Sequence, residues 1–338
     1  MKHVDERDIM FSRLGYEKGS KIYEKYYSEH PEKKGIDDML RARPGYGEPG
    51  TVEFDEMKSP IGNAGFEFLS DIKHLAEKKP NAEPRQVDNE KMTQEIKKAI
   101  LYFGADMVGI TEVKPEHLYT HRGRPQDVWG QVVDDSATHA IVFAVEMDED
   151  MINKAPGVES GIEGVKSYVS VAMIGLWISY YIRSFGYEAR THMDGNYLAM
   201  VQKMAVDAGL GEIGKSGLVL TRKFGPRIRL GAVTTNMQLL TDERDDIRVG
   251  DVCLKCMRCV EKCPSKAIPE GGRTLVDGKM EWPALIPEKC YMVWSRMGTD
   301  CSICMAECPF NEALLKKTAS NLQVKEKKAA NDFETKNI

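Results

Sequence analysis

Eight cysteines, all between Cys253 and Cys308, constrain this chain of 338 residues more than any other feature. The first four stand in "CLKCMRCVEKCP" as C-x2-C-x2-C-x3-C-P, the spacing that wraps a [4Fe–4S] cube. The other four are Cys290, then ten residues, then Cys301, Cys304 and Cys308 in "CSICMAECP". In two-cluster ferredoxin folds the last cysteine of each motif ligates the other cluster. The expected sets are therefore Cys253, Cys256, Cys259 and Cys308 around one cube, and Cys263, Cys290, Cys301 and Cys304 around the other. Structural zinc also uses C-x2-C pairs, but it has no need of a C-x3-C-P ending repeated twice, so iron–sulfur is preferred. Crosswise ligation holds two cubes close enough for electrons to pass between them. Thiols confined to one region argue for a metal module in a reducing compartment, not for scattered disulfides.

A small electron carrier needs only a fraction of this length, so most of the chain does something else. At 338 residues it has room for one large domain and a smaller one. Hydrophobic residues at 42%, charged residues at 29% and a net charge of −5 fit a globular chain with no broad basic surface, so no nucleic-acid partner is expected. The first residues, "MKHVDERDIMFSRLGYEKGS", contain neither a secretory apolar core nor a twin-arginine signal. A cytoplasmic location is expected, with membrane association as the alternative if a signal has been removed. The apolar run from Val169 to Ile182 is too short to span a bilayer and reads as a buried helix.

The mixture of helical and strand patterns predicts an α+β fold. Residues 1–89 read as a polar wrapping segment, with loops at "RARPGYGEPGTVEF" and "KSPIGNAGF". Residues 90–245 read as the core. A helix runs to about Phe103 and stops at Gly104, strands follow at Val108–Thr111 and "HAIVFAVEM", and "NKAPGVESGIEG" is a loop before the buried helix. A short strand at "YEARTHM", a helix through "LAMVQKMAVDAGLG" and two β-rich runs about Phe224-Gly225-Pro226 complete it. Residues 246–316 form the cysteine module, and 317–338 a polar, lysine-rich tail that is a solvated helix or disordered.

The stretch "MDGNYLAMVQKMAVDAGLGEIGKSGLVLTRKFGPRIRLGAVTTNMQL", with "AVDAGLGEIGKSG" at its centre, joins the cysteine module in a pattern that resembles the corrinoid-dependent reductive dehalogenases and their relative epoxyqueuosine reductase. "DERDIMFSR", "YYSEHPEKKGIDD" and "CYMVWSRMGTDCSICMAECPF" favour the dehalogenase side, and the resemblance spans nearly the whole chain. It implies a nitroreductase-like cobalamin-binding core with a C-terminal two-[4Fe–4S] ferredoxin-like module. The implied activity is an oxidoreductase that turns R–X, two electrons and a proton into R–H and halide through Co(I). The implied cofactors are two [4Fe–4S] clusters and a base-off cobalamin, since no D-x-H-x-x-G pattern offers a lower cobalt ligand. Residues matched to corrinoid binding are His192, Met193, Tyr197, Gly209, Gly211, Gly214, Lys215 and Gly217. His192 can equally be structural. The glycines would let backbone approach a large flat ligand.

In the dehalogenases a tyrosine supplies the proton and a nearby cation lowers its pKa. The resemblance places these roles on Tyr168 and Arg227, with Asn196 orienting the substrate or the phenol. Asp194 matches the aspartate that donates the proton in epoxyqueuosine reductase, or else caps the following helix. Plainer readings stand beside these. Tyr168 lies on an apolar helix where a tyrosine is often core, and Arg227 and Arg229 alternate around Ile228, so one of the two faces inward. The insert "YMVWSRMGTD" is long enough for a pocket wall, with Trp294 either there or in the core. Two other functions are carried: epoxyqueuosine-reductase-like deoxygenation, disfavoured by the absence of a basic extension, and a non-catalytic electron-transfer protein, disfavoured by size. Expected partners are a small organohalide, aryl or alkyl, and a low-potential donor such as ferredoxin or flavodoxin. A membrane-anchor partner and a homo-oligomer are both compatible with this reading.

Overall fold

A strand whose residues are apolar on both faces has to lie between two packed layers. "HAIVFAVE" is such a strand, and it is buried over almost all of its length. The computed structural model describes residues 4–133, 136–276 and 278–310; the expected tail from 317 lies outside these. Four helices come first: α1 (Met10–Leu14), α2 (Lys21–Glu29), α3 (Pro31–Arg41) and α4 (Ser59–Ile72). The central region follows as α5 (Asn89–Tyr102), β1 (Met107–Glu112), β2 (His139–Glu146), α6 (Glu149–Ile152), α7 (Val158–Arg183) and β3 (Ala189–His192). It continues as α8 (Val201–Asp207), β4 (Glu212–Ile213), β5 (Val219–Leu220) and β6 (Ile228–Thr235). The cysteine region holds α9 (Val249–Cys256), α10 (Arg258–Lys262), the hairpin β7 (Thr274–Val276) and β8 (Lys279–Glu281), α11 (Pro287–Met297) and α12 (Ile303–Ala306).

The main sheet has the order β1-β2-β6-β3 and is antiparallel throughout, as an α+β fold requires. Alternation along β2 sends Ile141, Phe143 and Val145 to the face covered by α5 and α7. Ala140, Val142 and Ala144 face α8, where small residues let Met204 and Ala205 come close. β3 is short. It pairs only with the Ala232–Thr235 half of β6, so among the described residues the Ile228–Gly231 half has no strand on that side.

Two segments expected as loops are helical. α7 begins at Val158 and absorbs "VESGIEG", reaching 26 residues. By length and composition it is long enough to cross a membrane, which overturns the argument from shortness, but more than half of its apolar stretch is buried in the fold. The buried-helix reading stands. "SPIGNAGF" begins α4, with Pro60 in the first turn, where a missing N–H costs nothing. A Cβ on Gly65 would lie 2.3 Å from Val165 Cγ1, so this glycine is what lets α4 seat on α7.

The N-terminal helices carry a small core of their own, Tyr16, Tyr23, Tyr26 and Tyr27. Three of the hydroxyls donate to carboxylates: Tyr23 to Asp38, Tyr26 to Asp8 and Tyr27 to Asp37. The guanidinium of Arg13, 2% exposed, reaches Asp37 at 3.2 Å and Glu288 of α11 at 2.7 Å. This fastens the N-terminal segment to the cysteine region.

Gly65→Ala is expected to lower stability by about 1–3 kcal/mol through overpacking against Val165. Gly35→Ala lies on the exposed side of α3, where an added Cβ meets nothing within 4 Å. It should raise stability by up to about 1 kcal/mol. Thermal unfolding of the two variants side by side checks both signs.

Candidate functional site

A cavity of about 540 Å³ opens at the edge of β6 that β3 leaves uncovered. Its walls come from every part of the chain. Ile9 and Phe11 belong to the N-terminal segment, Phe66 to α4, Tyr168 to α7 and Trp294 to α11.

Tyr168 and Arg229 form the charged centre of this cavity. The Arg229 guanidinium carbon sits 3.8 Å from the centroid of the Tyr168 ring. Arg229 Nε donates to Ser167 Oγ at 3.2 Å, and its Nη2 lies 3.9 Å from Asp300 Oδ2. Gly164 makes room for that carboxylate, because a Cβ there would approach Asp300 Oδ2 to 2.5 Å. Burial works against the Arg229 cation, but Tyr168 and Asp300 outweigh it, and its pKa is raised. For Tyr168 the largest influence is Arg229, which lowers the pKa; burial with Asp300 and Asp194 overcomes it, so the phenol stays above its ordinary value. Burial pushes Asp300 up to about 6, with Arg229 pulling down and Asp194 adding to the rise. Tyr197, also on the wall, is raised by burial.

Arg227, expected as the pocket cation, is turned elsewhere. Fully buried, its guanidinium pairs with Glu146 at 3.1 Å and Glu149 at 3.7 Å and donates to the Met147 carbonyl. The reason is position: Arg227 precedes β6 and faces the end of β2, while Arg229, two residues on, reaches α7. Asp194 does line the cavity, with its Oδ1 3.3 Å from Nη1 of Arg124, which also lies on the wall. Asn196 is committed to the fold. Its Oδ1 accepts from Arg190 at 2.6 Å and its Nδ2 donates to the Lys73 carbonyl at 3.1 Å.

The residues matched to corrinoid binding divide in the same way. Tyr197 and Gly217 line the cavity; Gly217 has φ +81° and nothing within 4 Å of an added Cβ. His192 is core: it contacts Thr234 Oγ1 through Nε2, accepts from the Leu198 N–H through Nδ1, and burial lowers its pKa to about 3. Met193 is buried beside Leu69 and Leu176. Gly209, Gly211 and Gly214 admit the chain itself: their Cβ positions would strike the Glu243 carbonyl, the Leu220 carbonyl and the Leu220 side chain. Lys215 belongs to the cysteine region, with Nζ 2.9 Å from the Glu270 carbonyl and 2.8 Å from Met257 Sδ.

Cys253, Cys256, Cys259 and Cys308 surround one small cavity together with Lys215 and Met257. Cys263, Cys290, Cys301 and Cys304 are electrostatic neighbours of one another, and Cys304 also feels Cys259, so the two groups adjoin. Burial pushes the Cys290 thiol up to about 11 and Cys308 up to about 12. A tetrahedral zinc would hold its sulfurs ~3.8 Å apart, given Zn–S bonds near 2.3 Å. Among the described residues no three thiol, imidazole or carboxylate groups converge on a single ion. Non-glycine residues with left-handed backbone crowd this region: Met257, Lys266, Cys301 and Ser302. Each costs about 1–3 kcal/mol and persists where turns aim N–H groups at a ligand; the Ala267 N–H already donates to Cys263 Sγ at 3.3 Å. The ten-residue insert forms most of α11 and the turn after it, and so supplies Trp294 and Asp300 to the cavity wall.

Sequence reasoning missed Arg229, Asp300 and Arg124. The first was visible in the Arg-Ile-Arg alternation; the other two carry no local signal.

The family model for a 4Fe-4S dicluster domain matches residues 252–312. The tetrachloroethene reductive dehalogenase of Sulfurospirillum multivorans is 29% identical over 263 residues, 68% of this chain and 52% of that protein. The enzyme of that name from Desulfitobacterium hafniense is 29% identical over 66% of this chain and 48% of its own length. The chain thus spans about half the length of these relatives. An epoxyqueuosine reductase from Lactococcus garvieae is 31% identical over 36% of this chain and 36% of its own. Among solved structures, the catabolic reductive dehalogenase NpRdhA in complex with 3-bromo-4-hydroxybenzoic acid shares the fold, with a TM-score of 0.73 at 21% identity over 92% of this chain and 42% of that one. From the cysteine module back through the sheet to the N-terminal helices, the chain is similar to reductive dehalogenases, and over about a third of its length to an epoxyqueuosine reductase.

Proposed function

We propose that this chain is a corrinoid- and iron–sulfur-dependent reductase that replaces the halogen of an organohalide with hydrogen: R–X, two electrons and a proton give R–H and X⁻. The observation that carries this reading is Tyr168 under the Arg229 guanidinium, in a cavity whose wall includes the segment between Cys290 and Cys301. Tyr168 keeps its proton through the neutral range because its pKa is raised. When that proton passes to carbon, the phenolate left behind keeps a fixed cation over its ring, the guanidinium carbon 3.8 Å from the ring centroid, in a partly desolvated site, which favours the transfer. Ser167 and Asp300 hold Arg229 in place for this.

The two cysteine sets fit two [4Fe–4S] cubes by donor chemistry and by the cavity that the first set encloses. In a nitroreductase-like core a base-off corrinoid would lie along Tyr197, Ala199, Gln202 and Gly217–Val219, where small, apolar and backbone groups form the wall. When bound, it would supply low-valent cobalt, a reductant able to attack or bind the substrate's leaving group. The Cys253 set and the set beside the cavity would hold the cubes that relay single electrons from a low-potential donor.

Asp194 on the same wall favours one other reading, reductive deoxygenation with that carboxyl as proton donor. The full chain, reconstituted anaerobically with iron, sulfide and cobalamin, decides between them. Bromide release from a bromophenol is expected under strong reductant, and its absence with corrinoid bound would sink the proposal. Tyr168→Phe should abolish release with the clusters intact. Asp194→Asn as the only inactivating change would favour deoxygenation.

Arg229→Met should cut turnover by about 100-fold or more. Arg227→Met should instead lower stability by about 1–3 kcal/mol, because the buried Met147 carbonyl loses its donor while Glu146 and Glu149 keep access to water. Comparing halide release with urea unfolding for both variants tests the exchange of roles. Cys308→Ala should lose about half of the bound iron, one cube of two, as read by iron analysis.

A further inference from the structure

Lys215 is buried with no acid to meet it. It sits in the turn between β4 and β5, which the Gly214 N–H closes by donating to the Leu218 carbonyl at 2.9 Å. That turn separates two cavities. Lys215 and Ser216 line the one ringed by Cys253, Cys256, Cys259 and Cys308, while Gly217 and Leu218 line the larger one. Lys215 is 5% exposed, and the partners of its ammonium are neutral: the Glu270 carbonyl at 2.9 Å, the Met257 sulfur, and the Trp282 ring, whose centroid is 5.3 Å from Nζ. Among the described residues no carboxylate pairs with it. Other buried cations are treated differently: Arg13 and Arg227 meet carboxylates, and Arg183 donates to three backbone carbonyls. Arg273 adds a second cation beside Trp282, with its guanidinium carbon 5.6 Å from the ring, but it is only half-buried and water screens it.

An ammonium taken out of water with a single carbonyl for company is costly unless an opposite charge lies close by. The thiols on the same cavity wall supply that charge once they hold a cluster, because a [4Fe–4S] cube on four thiolates is an anion and its reduced form is more negative still. A fixed cation on the wall favours the more negative form and so raises the potential. We propose that Lys215 is the counter-charge of the cube held by Cys253, Cys256, Cys259 and Cys308, and that it raises the reduction potential of that cube so that a milder donor can load it. This rests on the reading of that cysteine set as a cube. Lys215 ligates no iron and stays off the wall of the larger cavity, so it acts on the supply of electrons and leaves the proton to others.

The test uses the full chain reconstituted with iron and sulfide, without corrinoid, in a reductive titration followed by electron paramagnetic resonance. Two waves are expected, and Cys308→Ala identifies the wave of this cube as the one it removes. In Lys215→Met, which keeps an apolar stem against Trp282 and loses the charge, that wave moves to lower potential by about tenfold in the reduction equilibrium, about 59 mV for one electron. The other wave moves less. Lys215→Arg, which restores a cation, should recover part of the shift. A Lys215→Met chain that loads only the other cube, while Lys215→Arg loads both, also supports the inference, because the anion is then not held without its counter-charge. Wild-type potentials in Lys215→Met, equal movement of both waves, an Arg variant no nearer wild type than the Met variant, or loss of this cube in both variants overturns the inference while leaving the two wild-type cubes standing. A wild-type chain that loads a single cube overturns both this inference and the reading beneath it.

Discussion

A guanidinium cannot shed its charge when it leaves water, so a buried arginine dictates where its neighbours must be. Arg229 is the instance on which this site depends. Ser167 and Tyr168 meet it from α7 and Asp300 from the turn between α11 and α12, so the central sheet, its long helix and the cysteine region converge on one cation. Arg183 does similar work at the far end of α7. Its guanidinium donates to the carbonyls of Ala189 and Ala76, fixing the start of β3 and the end of the N-terminal segment against the same helix. Between these two arginines the stretch of α7 from Ser167 to Arg183 is held at both ends, and Tyr168 is presented from a rigid element.

The parts of this arrangement that follow from short-range rules were legible in the sequence. Cysteine spacing names its own ligand sets, and the structure gathers Cys253, Cys256, Cys259 and Cys308 around one cavity. An apolar run on both faces names a central strand, and Gly104, with φ +102°, ends α5 where expected. What the sequence hid depends on partners far along the chain. "SPIGNAGF" looks like a loop because its glycines lower helix propensity, yet Gly65 is there to admit Val165, a hundred residues away. Gly209, Gly211 and Gly214 suggest a ligand cradle and instead let the chain pass close to itself. Choosing between Arg227 and Arg229 required knowing where β6 begins, and element boundaries are what pattern reasoning locates least well.

The cavity is a composite. Its floor follows from β3 stopping four residues into its pairing with β6, which leaves an edge that something other than a strand must cover. Side chains from α7, α11 and the N-terminal segment cover it, and nearly all of them are aromatic or apolar, with Arg124 and Asp194 as a polar pair at one side. Such a wall excludes water from a cation and a phenol without burying either completely, and that condition lets a fixed charge act strongly on a proton.

The ion pair between Arg13 and Glu288 joins residues 275 positions apart. A chain made from its N-terminus exposes Arg13 and Asp37 long before Glu288 exists, so until α11 has been synthesised this segment is tied to the fold through contacts such as Gly123 N–H to Glu6 and Trp129 to Tyr16. Trp294 and Asp300, which come with α11 and the turn after it, complete the cavity wall only at that point. Through most of its synthesis the chain therefore lacks one side of that wall, and the last long helix made both closes the cavity and latches the first helices.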